Sequence, residues 1–454
     1  MPTPRSAIDG ISWPAVSQPA AASLLALQFQ LEQSQWWTPE ELARFQLRQL
    51  NAVLAHAFAT VPLYRERLAA CGYVPGIALD ETAFRQLPLL ERSEVQARGT
   101  DLASAEVPPG HGSVQESRTS GSTGMPISFL QTEVTQFFWR GFTLREHLWH
   151  RRDPRGKLAA IRPDRNAPAD TGQKFSGWGV PVGLVYETGP SSVLHSRTPI
   201  DRQVEWLREE NPDYLITLPS NLLALAEEFR ARGVRLPKLR QVRTFGETLR
   251  PEVRTVCAEA FGVSVADVYS AQEVGYIALQ CPEQEHYHVQ SEGVLVEILR
   301  DDGRPCAPGE TGKVVITTLH NFAFPLIRYV IADYAEAGAP CSCGRGLPVI
   351  RRILGRERNL CTYPDGRRFY PTFSASVWSH VAPIRQIQMI QRTRELIEVR
   401  LAMQRPLEAA ERIELTRVLQ KALDYPFELV FTIMDEIPRG PGGKYEDFIS
   451  EVAR

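Results

Sequence analysis

The sequence predicts an α/β protein: a large N-terminal domain of several subdomains, with parallel sheets and a β-rich subdomain, followed by a small α+β C-terminal domain. Three observations carry this expectation. From about Leu158 short apolar runs alternate with amphipathic helical stretches, after Tyr287 the texture turns to β-branched runs between turn residues, and after Gly355 the chain has strand and helix patterns of its own. The boundary is placed near Arg356 to Arg358, giving expected domains 1–356 and 357–454.

Each element follows from a local pattern. Pro39 through Leu68 keeps apolar residues at helical spacing, with Thr38 as the N-cap before Pro39. Tyr214–Leu218 and Val242–Phe245 read as strands, and Leu222–Arg230 and Glu252–Phe261 as the helices that alternate with them, which implies a mostly parallel sheet. Val294–Leu299 alternates as a strand does, Asp301-Asp302-Gly303 supplies turn residues, and Lys313–Thr318 is a second β-branched strand, so a hairpin or small barrel-like sheet is expected. Leu396–Leu401 and Glu408–Leu423 give the last region a strand and a helix.

Bulk properties narrow the function. With 454 residues, 43% of them hydrophobic, and a formal charge of -2, the chain can bury a large core and offers no concentrated basic face for nucleic acid. No apolar run approaches bilayer length, so no membrane association is expected and the protein is placed in the cytoplasm with small-molecule ligands. Seven cysteines at uneven spacing do not form a disulfide framework. Lysine is scarce: Lys157, Lys174, Lys238, Lys313, Lys421 and Lys444 are all there are among 51 basic residues, which draws attention to any site that needs a compact ammonium.

The most specific string is Arg118-Thr-Ser-Gly-Ser-Thr-Gly-Met-Pro126. Its glycines allow a tight turn and close backbone approach, and its hydroxyls and N–H groups can donate to phosphate oxygens; it lacks the Lys-Ser/Thr ending of a Walker loop. With this string the chain resembles the acyl-adenylate-forming (ANL) superfamily, in particular its phenylacetate-coenzyme A ligase-like branch, which includes ligase homologues from polysaccharide gene clusters. Further matches follow in the same order. They are Val61-Pro-Leu-Tyr-Arg-Glu-Arg67 within Asn51–Leu68, Phe245-Gly-Glu-Thr248, Tyr269-Ser-Ala-Gln-Glu273, Leu326-Ile-Arg-Tyr329 with Asp333, Gly355-Arg356, and Pro438-Arg-Gly-Pro-Gly-Gly-Lys444.

The resemblance implies an adenylation domain followed by a mobile C-terminal lid, and an ATP-dependent, AMP-forming acid-thiol ligase. Such an enzyme activates a carboxylic acid, of aryl or arylacetic type, to an acyl-AMP with release of pyrophosphate. It further implies that Thr119, Ser120, Gly121, Ser122, Thr123, Gly124, Gly246, Glu247, Tyr269, Gln272, Asp333 and Arg356 surround the nucleotide, that Glu273 holds magnesium, and that Lys444 offsets charge at the α-phosphate. Coenzyme A, a carrier-protein thiol, an amine or a hydroxyl stays open as acceptor, as do a homodimer and a non-catalytic nucleotide-binding homologue. Phe137, Phe138 and Trp139 are candidates for the acid pocket, against the alternative of ordinary core packing.

The chain also departs from the family pattern. Ser270 and Gln272 stand where Gly and Thr are usual, Met125 where Lys is common, Arg358 at a hinge position that is usually acidic, and Ile331-Ala332 where Thr-Gly usually precedes the ribose aspartate. The acidic Glu446 and Asp447 follow Lys444 and should weaken attraction to coenzyme A phosphates. A separate feature is Cys281 with His288 seven positions on, and Cys341-Ser-Cys343-Gly344 downstream. Three thiolates and one imidazole form a tetrahedral zinc set, with His286 as the alternative to His288; four protein ligands leave no open position, so the zinc would be structural. Cys71, Cys257, Cys306 and Cys361 lack a partner pattern and are assigned to packing.

Overall fold

A computed structural model describes residues 3–119, 126–163, 171–371, 377–378, 380–403, 405–438 and 445–452. The chain divides into two compact units, Met1–Ile353 and Leu354–Arg454. Among the described residues no helix is long and apolar enough to cross a membrane.

The helical start forms as its sequence requires, with one correction. Thr38 caps Pro39–Thr60 through a complete capping box with Glu41. The helical pattern to Leu68 is, however, broken at Val61, which takes an extended conformation (φ -108°, ψ 115°) before a second helix, Pro62–Ala70. The reason is local: Pro62 has no N–H to donate and its ring disfavours a helical residue before it.

In the first unit a 12-stranded sheet is the main element. Its parallel part runs Ser264–Ala271, Gln241–Phe245, Tyr214–Thr217, Leu158–Arg162 and Ser191–His195, joined by helical crossovers such as Pro219–Ala231 and Pro251–Phe261. The β-rich region is not a separate barrel: Gly275–Gln280 turns back antiparallel on Ser264–Ala271, and the sheet continues through Tyr287–Val289 and Val349–Arg356 to Tyr329–Ala337, Thr311–Thr318 and Val294–Leu299. The mixed α/β expectation holds, with parallel and antiparallel parts fused edge to edge. Leu215, Leu222, Phe229 and Val242 pack the parallel half, whereas Leu54, Phe84, Ile316 and Tyr329 pack the antiparallel half under the N-terminal helices.

The second unit has a four-stranded sheet in the order Glu428–Met434, Leu396–Met403, Ile384–Gln391, Phe448–Ser450, with helix Ala409–Ala422 against it. Leu415, Leu419 and Phe427 fill the core between them.

Candidate functional site

The phosphate-loop string is carried on a hairpin. Val114–Arg118 pairs antiparallel with Ser128–Thr132, and the ladder extends to Thr119, whose N–H donates to Ile127 O at 2.9 Å while its Oγ1 accepts from Ile127 N at 2.9 Å. Ser120, Gly121, Ser122, Thr123, Gly124 and Met125 lie outside the described residues. The stem is tied to the aromatic-to-glutamate segment, because Gln131 Nε2 donates to Gln272 O at 3.1 Å.

That segment is the end of strand Ser264–Ala271 and the turn into Gly275–Gln280. Tyr269 donates from its hydroxyl to Asp333 Oδ2 at 2.7 Å across 64 positions of sequence. Asp333 is presented by a register shift where Thr311–Thr318 pairs with Tyr329–Ala337. Ala332, next to it, has φ +67°. This is the left-handed region that glycine favours, so Ala332 keeps the backbone shape that the usual Gly would supply, at a cost of about 1 kcal/mol.

Glu273 is buried and receives two groups on one oxygen. Arg92 Nη1 lies 3.3 Å from Oε1 and the Tyr329 hydroxyl donates to the same atom at 3.4 Å, while Arg92 also donates to Tyr329 Oη at 2.9 Å. Burial, with Glu273 beside it, pushes the Tyr329 hydroxyl well above the ordinary tyrosine range, so it stays a donor. Arg92 has no sequence signal: it sits in the short helix Arg92–Ala97, 181 positions from Glu273, and only tertiary folding brings the pair together. Glu247 accepts from Ser220 N at 2.9 Å, at the start of helix Pro219–Ala231, while Gly246 before it has φ +77°.

A cleft opens beside Glu273, lined by Thr135, Phe138, Trp139 and Phe142 of helix Glu133–Trp149, by Gly275 and Tyr276, and by Gly293, Val294, Thr318, His320 and Asn321. Of the aromatic triplet, Phe138 and Trp139 line this cleft; all three pack against one core cluster, and Phe137 also packs against a second. Gly293 is required for the close approach here, since a Cβ would stand 2.7 Å from the Phe142 ring. Tyr276 is held rigidly: Arg243 Nη2 donates to its oxygen at 2.7 Å, and Thr143 Oγ1 lies 3.2 Å away.

Behind this wall is a buried charge cluster. Glu146 is fully buried and accepts from Arg152 at 2.6 and 2.7 Å, with Arg243 Nε at 3.2 Å. Burial alone would push the Glu146 carboxyl up, but the Arg152 and Arg243 guanidiniums prevail and hold it far below the usual carboxylate range. Burial lowers His147 to about 3 and His150 to about 4, so both imidazoles are neutral.

In the second unit, Arg356 N donates to Asn359 Oδ1 at 2.9 Å and Tyr370 donates to Arg356 O at 3.1 Å. Lys444 lies outside the described residues, but the chain on both sides of 439–444 is fixed to strand Ile384–Gln391. Ile437 N donates to Gln386 Oε1 at 3.0 Å, Gln388 Nε2 to Glu446 O at 2.8 Å, and Met389 N to Asp447 O at 2.7 Å. Two departures from the family pattern turn out to be partners: Arg358 forms a two-pronged ion pair with Glu446, at 3.1 and 2.5 Å. Glu446 is therefore neutralised inside its own unit.

The cysteine-histidine set assembles. Ligand atoms of Cys281, His288, Cys341 and Cys343 all lie within 4.8 Å of one another, with Cys281 Sγ 3.9 Å from Cys341 Sγ and Cys343 Sγ 3.4 Å from His288 Nε2. Cys343 N–H points at Cys341 Sγ at 3.4 Å, as in a zinc knuckle, and His288 Nδ1 lies 3.5 Å from Leu347 O, which leaves Nε2 for a metal. His286 is adjacent, its ring 5.5 Å from that of His288, but His288 is the one inside the cluster. Three sulfurs and one imidazole nitrogen at this spacing suit zinc. Of the cysteines assigned to packing, Cys257 and Cys361 are buried in the apolar cores of the two units and Cys306 is half-buried, but Cys71 is exposed at the end of helix Pro62–Ala70 and is not a packing residue.

No family model matches the chain. It is 24% identical over 393 residues to the phenylacetate-coenzyme A ligase of Pseudomonas putida, covering 82% of this chain and 81% of the relative. To the phenylacetate-coenzyme A ligase of Thermus thermophilus it is 28% identical over 352 residues, 73% of this chain and 74% of the relative. Among solved structures, a 2-hydroxyisobutyryl-CoA ligase in the postadenylation state superimposes with a TM-score of 0.70 at 19% identity, over 92% of each chain.

Proposed function

We infer that this chain, a homologue of the phenylacetate-coenzyme A ligases with the fold of the acyl-adenylate-forming enzymes, is an ATP-dependent, AMP-forming acid-thiol ligase. The observation that carries the reading is the convergence at one cleft of Glu273, its Arg92 and Tyr329 partners, and the hairpin that bears the phosphate-loop string. In the first half-reaction a carboxylate oxygen of the acid bonds to the α-phosphorus, and the bond to the bridging oxygen breaks as pyrophosphate leaves with its electron pair. In the second, a thiol sulfur bonds to the acyl carbon, its proton passes to solvent or base, and AMP leaves.

Individual roles are proposed from the resemblance, with the geometry as support. The Asp333 carboxylate, oriented by Tyr269, would accept from the ribose hydroxyls, while Thr119 and the residues to Gly124, with Gly246, Glu247, Gln272 and Arg356, would surround the nucleotide. Both contacts to Glu273 fall on Oε1, so Oε2 can face a cation, and a hard carboxylate oxygen fits magnesium. Bound there, magnesium would offset phosphate charge. Phe138 and Trp139 would hold an aryl or arylacetic body by ring contact. Coenzyme A is the proposed acceptor, and pairing of Glu446 with Arg358 lessens the repulsion expected from the acidic residues after Lys444.

The test is acid-dependent exchange of labelled pyrophosphate into ATP over a panel of carboxylic acids, followed by product analysis with and without coenzyme A. Exchange with at least one aryl acid and a coenzyme A thioester are expected. Intact nucleotide binding with no exchange for any acid would instead establish a non-catalytic homologue.

Zinc is proposed as structural, because Cys281 directly follows strand Gly275–Gln280, His288 lies on strand Tyr287–Val289 and the other two ligands on the loop before Val349–Arg356, and an ion would cross-link them. Elemental analysis of the purified protein should find about one zinc per chain. Cys343→Ser should lose zinc and lower the unfolding temperature. A folded, active preparation without zinc overturns the assignment.

A further inference from the structure

Among the polar groups around the cleft, most are already satisfied. Asn321 donates to Leu130 O at 2.9 Å and accepts from Phe324 N at 3.1 Å, Thr318 Oγ1 accepts from Leu326 N at 3.1 Å, and Tyr276 is held by Arg243. His320 differs. Its ring lines the cleft and stacks flat on Phe138, with centroids 3.7 Å apart and planes within 3°, yet its buried Nδ1 has no hydrogen-bond partner among the described residues. A buried imidazole nitrogen left unpaired costs free energy, and such groups are rare enough in folded proteins to call for a reason.

We propose that His320 is a specificity-determining residue that hydrogen-bonds a hydroxyl or amino substituent on the body of the acid, so that the enzyme prefers a hydroxylated or aminated aryl acid to its unsubstituted parent. This rests on the ligase reading of the cleft. The acid's carboxylate is committed to the α-phosphate, on the side where Glu273 stands. The remainder of the acid lies among Phe138, Trp139 and Phe142, whose rings offer apolar contact and, from the Trp139 indole N–H alone, a donor that cannot accept. His320 is the residue of that wall that can both donate and accept and that keeps a buried nitrogen without a partner among the described residues. Its chemistry selects the ligand: burial lowers the ring to about 4, so at neutral pH it is uncharged, with one nitrogen donating and the other accepting. A neutral imidazole on an aromatic wall suits a hydroxyl or amine, each of which can also donate and accept; a second carboxylate would call for a cation.

The experiment compares phenylacetic acid with its ortho-, meta- and para-hydroxy and amino derivatives, using kcat/KM for pyrophosphate exchange. Wild type should favour one substituted acid over the parent by about 10- to 100-fold. His320→Phe, which keeps a flat ring against Phe138, should bring that ratio near one and retain activity on the parent acid. His320→Leu serves if the first variant does not fold. Exchange that is equal for parent and substituted acids, or a preference unchanged in the variant, overturns the proposal while the ligase reading stands. Should no acid support exchange, the ligase reading fails instead, and calorimetric binding of the same acids still reads the preference: equal affinities in wild type and variant overturn it.

Discussion

Lys444→Ala is expected to lower acid-dependent pyrophosphate exchange by about 100- to 1,000-fold and to leave the unfolding temperature where it was. The expected size is that of removing one preorganised group that meets charge developing in the transition state. The unchanged stability follows from the anchors around it. Gln386, Gln388 and Met389 of one strand hold Ile437, Glu446 and Asp447, and Arg358 holds the Glu446 side chain, so the second unit keeps its fold whatever stands at 444. The reading is sharpened by thioester formation from chemically prepared acyl-AMP, which should be much less affected because the α-phosphate chemistry is then complete. Wild-type exchange in the variant would remove Lys444 from the mechanism.

Glu146→Ala is expected to destabilise the first unit by about 3–5 kcal/mol, because it strands the buried Arg152 guanidinium and the largely buried Arg243 guanidinium without a counter-charge. Arg152 loses both its bonds at 2.6 and 2.7 Å, and Arg243 loses the carboxylate 3.2 Å from its Nε. Since Arg243 also steadies Tyr276 in the cleft wall, the KM for the acid should rise in whatever fraction remains folded.

The same cluster sets a pH dependence. Glu146 titrates below its unfolded value, so its contribution is complete above pH 4.5 and is lost as pH falls. His147 and His150, lowered to about 3 and about 4 from 6.5, stay neutral when folded but take protons when unfolded; stability therefore declines as pH drops below 6.5. Urea midpoints at pH 7 and pH 5 check the histidine statement, and a further midpoint at pH 3.5 checks the Glu146 one. A loss under about 1 kcal/mol in the variant, or a wild-type midpoint that does not fall between those pH values, would show that the cluster is better solvated than its burial implies.

What could be read from the sequence is what short stretches decide. Thr38 with Glu41 makes a cap because both partners lie within one turn, and Val294–Leu299 declares a strand by alternation. The cysteine-histidine set was legible as two fragments because zinc ligands are few in kind. It was the pairing of His288 with Val349 and Leu279 on adjacent strands that brought the fragments to one place and selected His288 over His286. The helix break at Val61 was local too, and the apolar periodicity through Leu68 masked it, because spacing registers which face is buried and does not register a missing N–H.

By itself the sequence determined the mixed α/β class and the chemical type of each candidate group, since these depend on composition, periodicity and spacing, while the order of the candidate motifs was legible through their resemblance to a family. Tertiary structure alone decided that the parallel and antiparallel strands form one sheet, that Arg92 meets Glu273, that Arg358 answers Glu446, and that His320 of the cleft wall keeps a nitrogen without a partner among the described residues. Each of these is a contact between residues tens to hundreds of positions apart, or the absence of one. A side chain's local sequence fixes what it can donate or accept, and only the packing of distant segments fixes what stands within hydrogen-bonding distance.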